Sequence, residues 1–140
     1  MKRTILFAFL FCISAIQVFS QTNMKVRFDG LYQTELNIKS DSRRFLRFYS
    51  DNTVLSVSST GEATDVIQWL EKPYDDHGKY EIKENKIYFS TSSSYGTVLY
   101  EGLIESKNVL KLKLKSLING HESEQIFQFI KVRSKAKEKH

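Results

Sequence analysis

Between Val26 and Val132, apolar and polar residues alternate with a period of two almost throughout, and the pattern is interrupted once by a helical period. Such alternation sends successive side chains to opposite faces of a strand, one packed and one wet. Val26–Ile38 sets Phe28, Gly30, Tyr32, Thr34 and Leu36 on one face and Asp29, Gln33 and Glu35 on the other. Arg44–Tyr49, rich in aromatics, and Thr53–Ser58, rich in Val and Leu, flank the turn chemistry of Ser50-Asp51-Asn52 and predict a hairpin. Five further runs follow: Lys79–Lys83, Lys86–Thr91, Thr97–Glu105, Val109–Ser116 and Ser123–Val132. Glu84-Asn85, Ser92–Ser94, Ser106–Asn108 and Asn119-Gly120 separate them. The last pair predicts a type I′ turn, because both residues tolerate positive φ. The sharpest alternation sets Leu110, Leu112 and Leu114 against Lys111, Lys113 and Lys115.

The interruption lies after the third run. Ala63, Val66, Ile67 and Leu70 recur at i, i+3, i+4 and i+7, the apolar stripe of a short helix. Thr60 or Thr64 is placed to cap its start, and Glu62 suits the first turn. Pro73 stops it near Lys72, since the residue before proline is pushed out of helical geometry.

The count is eight strands joined mostly by tight turns, which makes neighbours antiparallel and the sheet a meander. The predicted fold class is therefore all-β: an eight-stranded antiparallel up-and-down meander with one short helix between strands three and four. Eight such strands can close into a small barrel, whose interior fills with side chains or holds one small ligand. Closure also removes the two free edges. The helix would then cover a mouth or flank the wall. An open sheet or a two-sheet sandwich is the alternative.

Asp29-Gly30-Leu31-Tyr32 followed by such a meander resembles the lipocalin-like, or calycin, small barrels. Phe45–Tyr49, Ser56–Gly61, Tyr95–Val98 and Asn119–Ser123 look like stretches of an uncharacterised group of small exported proteins of that kind. The resemblance covers roughly all of the chain after residue 20 and implies the barrel fold. Where lipocalins carry Gly-x-Trp on the first strand, this chain has Tyr32; their long loop after that strand and their usual disulfide are missing. No ligand carries over, because fold does not imply function.

The chain's beginning predicts export. Met1-Lys2-Arg3 is followed by an apolar run from Ile5 to Ile16, and Val18-Phe19-Ser20 offers small residues at the −3 and −1 positions. That order is a signal peptide cleaved after Ser20, and the run is short of the roughly 20 residues a spanning helix needs. The expected organisation is a leader at 1–20, one domain at 21–133 and a charged tail at 134–140. Without Lys2 and Arg3, the 21 basic residues fall to 19 against 16 acidic ones, a net of +3. Mild basicity of this size is no nucleic-acid footprint. Cys12, the only cysteine, leaves with the leader, so no disulfide, thiolate or cysteine–metal chemistry is expected in the domain. An exported domain with neither disulfide nor Asn-x-Ser/Thr sequon fits a bacterial periplasm or surface.

Three features invite chemistry. Asp75-Asp76-His77 offers two carboxylates and an imidazole, but adjacent residues rarely converge on one ion, so a solvated loop is expected. His121 follows a turn and reads as an exposed tip. The scattered serines lie in no Gly-x-Ser-x-Gly elbow. No catalytic residue, metal site or cofactor is therefore assigned, and the chain reads as a non-enzyme. Its expected role is binding a small apolar ligand, with Tyr32, Phe48, Trp69 and Tyr100 as candidate contacts. Trp69 would stand at the entrance if the helix covers a mouth. The alternative is an envelope protein-interaction or inhibitor module presenting Tyr74–Gly78 and Ser92–Tyr95. A third is an enzyme on a barrel scaffold, requiring Asp75, His77 and another polar group to converge on a cavity.

Overall fold

The computed structural model describes residues 23–133. The expected leader with its cleavage after Ser20, and the charged tail, fall on residues 1–22 and 134–140, outside the described residues. In chain order the elements are β1 (Gly30–Gln33), β2 (Arg43–Phe48), β3 (Thr53–Ser59), α1 (Ala63–Trp69), β4 (His77–Lys83), β5 (Lys86–Ser93), β6 (Gly96–Ser106), β7 (Val109–Ser116) and β8 (Glu122–Lys131). Each strand pairs antiparallel with the next, and β8 returns to β1, with Gly30 opposite Lys131 and Gln33 opposite Gln128. The meander closes into an eight-stranded barrel. In places the curved wall brings backbones so close that only glycine fits: a Cβ on Gly78 would stand 1.6 Å from the Ser90 carbonyl oxygen, and one on Gly102 1.9 Å from that of Lys111.

Alternation along the strands fills the interior. Tyr32, Leu46, Phe48, Val54, Tyr80, Ile87, Phe89, Tyr100, Ile104, Leu110, Leu112, Leu114 and Phe127 form one buried cluster, with Ile82, Val98 and Phe129 packed against it. Phe48 meets Tyr32, Tyr80 and Phe89 edge-on, with centroids 5.5, 5.1 and 5.6 Å apart, and Phe89 stacks on Tyr100 at 4.4 Å. These are the favoured offset and T-shaped geometries of aromatic pairs. Lys111, Lys113 and Lys115, on the opposite face of β7, are exposed.

The first strand is shorter than the predicted run Val26–Ile38. Residues 23–29 instead cross one end of the barrel, over the β4–β5 and β6–β7 turns. The Met24 amide donates to the Glu84 carbonyl (2.8 Å), and the Glu84 amide donates to Asn23 Oδ1 (2.7 Å). Arg27 donates to Asn108 Oδ1 (2.9 Å) while its guanidinium lies 4.1 Å above the Phe129 ring. The Tyr32 hydroxyl accepts from the Arg27 amide (2.8 Å) and donates to the Lys107 carbonyl (2.6 Å). Met24 and Val26 pack on the core beneath. Phe28 is therefore half exposed instead of facing inward, as is Leu36 beyond the other end of β1.

The helix flanks the wall. Leu31, Phe45 and Leu55, on the outer faces of β1, β2 and β3, form a second buried cluster with Ala63, Val66, Ile67, Leu70 and Val132. Its N-cap is Glu62, whose side chain makes no capping bond, so neither Thr60 nor Thr64 caps it. The helix ends at Trp69, ahead of Pro73, and Arg47 of β2 and Tyr49 just after it supply partners for its last carbonyls. Arg47 Nη1 donates to the Ile67 and Leu70 carbonyls, both at 3.1 Å, and the Tyr49 hydroxyl donates to that of Leu70 at 2.7 Å. Such partners satisfy acceptors that a helix end leaves free.

Asn119-Gly120 is not a two-residue turn. The β7–β8 loop runs 117–121, with positive φ at Gly120 (75°) but not at Asn119. The Gly120 amide donates to the Ser116 carbonyl (2.8 Å), and the Ser116 amide to that of His121 (2.9 Å).

Candidate functional site at the open end of the barrel

The inward stripes share one direction of change. From the end covered by residues 23–29, β2 presents Phe48, Leu46 and then Arg44, and β3 presents Val54, Ser56 and Ser58. On β4 the inward residues are Ile82, Tyr80 and Gly78, with Asp76 just before the strand; on β5 they are Ile87, Phe89 and Thr91. β7 ends its three leucines at Ser116, and β8 runs from Phe129 and Phe127 to Gln125 and Ser123. Thr34 follows Tyr32 on the first strand's inward side. One half of the barrel is thus an apolar, aromatic plug, and the other is an open polar mouth.

Arg44 roofs the plug. Its Nη1 donates to the Tyr100 hydroxyl (3.1 Å), which lies 3.2 Å from Ser56 Oγ. Its backbone amide donates to Thr34 Oγ1 (3.0 Å). Among the described residues, no ion pair within 4 Å involves Arg44, although the Asp76 carboxyl is near enough to feel its charge. The Thr91 hydroxyl is fully buried and has no hydrogen bond within normal limits, yet it faces Asp76 closely enough to favour the ionised carboxylate more than Arg44 does. Gln125 Oε1 is likewise buried without a partner, while its Nε2 donates to Ser123 Oγ at 3.3 Å. Buried acceptors without donors are uncommon and cost free energy.

A cleft gives access. β1 stops pairing with β8 at Gln33, opposite Gln128, yet β8 extends to Glu122. The wall parts there into a cleft of about 820 Å³. Thr34, Arg44, Ser58 and Gln125 line it, together with the charged residues Glu35, Arg43 and Glu124.

The Asp75-Asp76-His77 cluster is pulled apart. Asp75 accepts from the Ser94 hydroxyl (3.3 Å) on the neighbouring turn, and His77 Nδ1 is 2.7 Å from the Tyr74 carbonyl, so it is the donor. Asp76 alone turns toward the barrel. No group of three His, Cys, Asp or Glu residues among the described residues is placed to hold a metal ion. No helix among them is long and apolar enough to cross a membrane.

Burial raises the Asp76 carboxyl above its ordinary value of 3.8, against the opposing pull of Thr91 and Arg44. An acid raised on folding destabilises the fold when ionised, and that cost disappears as pH falls through the raised value toward the unfolded one. Asp76→Asn is accordingly expected to be more stable than the parent near pH 7, with the gap closing toward about pH 4. Urea midpoints across that range check this; a gap independent of pH contradicts it.

Of the four residues singled out as ligand contacts, the barrel brings three together. Tyr32, Phe48 and Tyr100 are buried and belong to the interior cluster. Burial also pushes the Tyr32 hydroxyl up to about 12. Trp69 is half exposed on the flanking helix and stands apart from them. Arg44, Thr91 and Gln125 were not singled out by sequence; each is a polar residue in register with an apolar inward stripe, which is the signal that finds them. Compared with known proteins, the chain matches no family model, no curated protein and no solved structure.

Proposed function

We propose that this chain is an exported, non-enzymatic binding protein of lipocalin-like design whose site is the open polar end of its barrel. The single observation carrying this reading is the asymmetry of the interior. Aromatic rings in mutual contact occupy the end beneath residues 23–29, while the other end turns Arg44 and Gln125 into a cleft in which Gln125 Oε1 has no partner. Pockets of this kind, concave with a few convergent polar groups, are the usual form of a small-molecule site. The filled plug favours a ligand held at the mouth over an apolar one threaded through the lumen.

A screen of water-soluble small molecules by saturation-transfer NMR tests the reading. Hits are expected on the parent protein, and Ser58→Trp, which fills the cleft, should abolish them while Trp69→Ala leaves them intact. Hits indifferent to Ser58→Trp would overturn it.

The interaction-module reading has one observation in its favour. Ile38 and Tyr95, on loops at the open end, are 91% and 84% exposed. Under that reading Ile38→Ser with Tyr95→Ser abolishes capture of an envelope protein, and Ser58→Trp does not.

A further inference from the structure

We infer that the open end takes a small hydroxylated carboxylate, of which a monomeric sugar acid is the simplest instance; this rests on the open end being the binding site.

Two unmet demands define the class. The first is charge. Arg44 carries five N–H donors in a planar fork suited to a carboxylate. Among the described residues its guanidinium makes one hydrogen bond, to the Tyr100 hydroxyl, and no ion pair within 4 Å. The second is donors. Gln125 Oε1, in the cleft, is buried without a partner, and the Asp76 carboxyl, which the Thr91 hydroxyl faces, adds further acceptor oxygens. A simple carboxylate answers Arg44 but brings no donor for Gln125. A neutral polyol answers Gln125 and leaves the guanidinium unmatched. A ligand bearing one carboxylate and several hydroxyls meets both.

Size and total charge are bounded as well. The stacked Phe89 and Tyr100 rings close the floor beneath Arg44, so the ligand stays at the mouth. Arg43, Glu35 and Glu124 also line the cleft, so two positive side chains face two negative ones, a balance that suits a single carboxylate and disfavours polyphosphates and polyanions. Ser58 and Thr34, also in the cleft, donate or accept as the ligand requires.

Calorimetric titrations of the purified protein with D-glucuronate, D-glucose and acetate test the inference. D-glucuronate is expected to bind about tenfold or more tighter than either of the others, the usual worth of a charge-assisted bond. Arg44→Gln should bring D-glucuronate to the level of D-glucose and leave D-glucose unchanged. Arg44→Lys, which keeps the charge without the fork, should fall between. Unchanged circular dichroism and melting show that the variants fold. Equal affinity for all three probes, or an Arg44→Gln variant that binds D-glucuronate as the parent does, overturns the inference. If none of the three binds while screening hits sensitive to Ser58→Trp exist, the ligand class is wrong and the site stands. If the open end yields no hits at all, the site reading itself fails.

Discussion

Leu112→Asp is expected to leave the protein largely unfolded under conditions in which the parent is folded. Leu112 is buried at the centre of β7, between Gly102 of β6 and Gln125 of β8. Removing a buried leucine side chain alone costs about 2–5 kcal/mol. A carboxylate placed in the same apolar layer either stays ionised without a partner or takes up a proton, and either adds to the loss. The sum is comparable to the roughly 5–15 kcal/mol that holds a domain of this kind together. The neighbouring substitution Lys113→Asp is the control. Lys113 faces outward, but its cross-strand neighbours are Glu101 and Glu124. The new acid would sit between two others, so a loss of about 1 kcal/mol is expected from like-charge pairs. Urea unfolding of the two variants should differ several-fold in lost stability. Equal losses would mean that β7 is not a one-sided wall strand.

Phe48→Ala should be the second most damaging change, costing about 3–5 kcal/mol. Phe48 is the hub of the plug, since its ring contacts Tyr32, Tyr80 and Phe89. Truncation removes three edge-on pairs at once and leaves a void that two of the flanking rings, tied by hydroxyl bonds, cannot collapse into. The Tyr32 hydroxyl is held by Lys107 and Arg27, and that of Tyr80 donates to the Tyr49 carbonyl. Chemical denaturation measures the loss. A cost below about 1 kcal/mol would show that the plug is loosely packed and has room for a ligand after all.

The strand pattern was legible because side chains on a barrel wall alternate with a period that nothing local can disguise. Lys79–Lys83 and Val109–Ser116 needed only that rule, and the helix needed only the spacing of Ala63, Val66, Ile67 and Leu70. The first strand was over-extended because Val26 and Phe28 keep the alternation while leaving the sheet. The segment that carries them is tied instead to the turn at Glu84 through Met24 and Asn23, and such long-range bonds leave no trace in local sequence. The end of the helix was placed too late, near Lys72, for the same reason: the partners of its last carbonyls are Arg47 of β2 and Tyr49 just after that strand. Tyr32, Phe48 and Tyr100 drew notice as aromatic residues, yet in the fold they are the plug. The open-end residues escaped notice because a lone Arg or Gln within a strand reads as surface. Only when antiparallel strands are laid side by side do Arg44, Ser58, Thr91, Ser116 and Gln125 fall at the same end.

The asymmetric barrel, sealed at one end and receptive at the other, is tested most directly by mapping amide ¹H–¹⁵N shifts while D-glucuronate is added. The account predicts perturbations concentrated at Thr34, Arg44, Ser58, Asp76 and Gln125, with the amides of Met24, Val26, Glu84 and Lys107 unmoved. Perturbations centred on residues 23–29 and the turns they cover, with the open end silent, would contradict it.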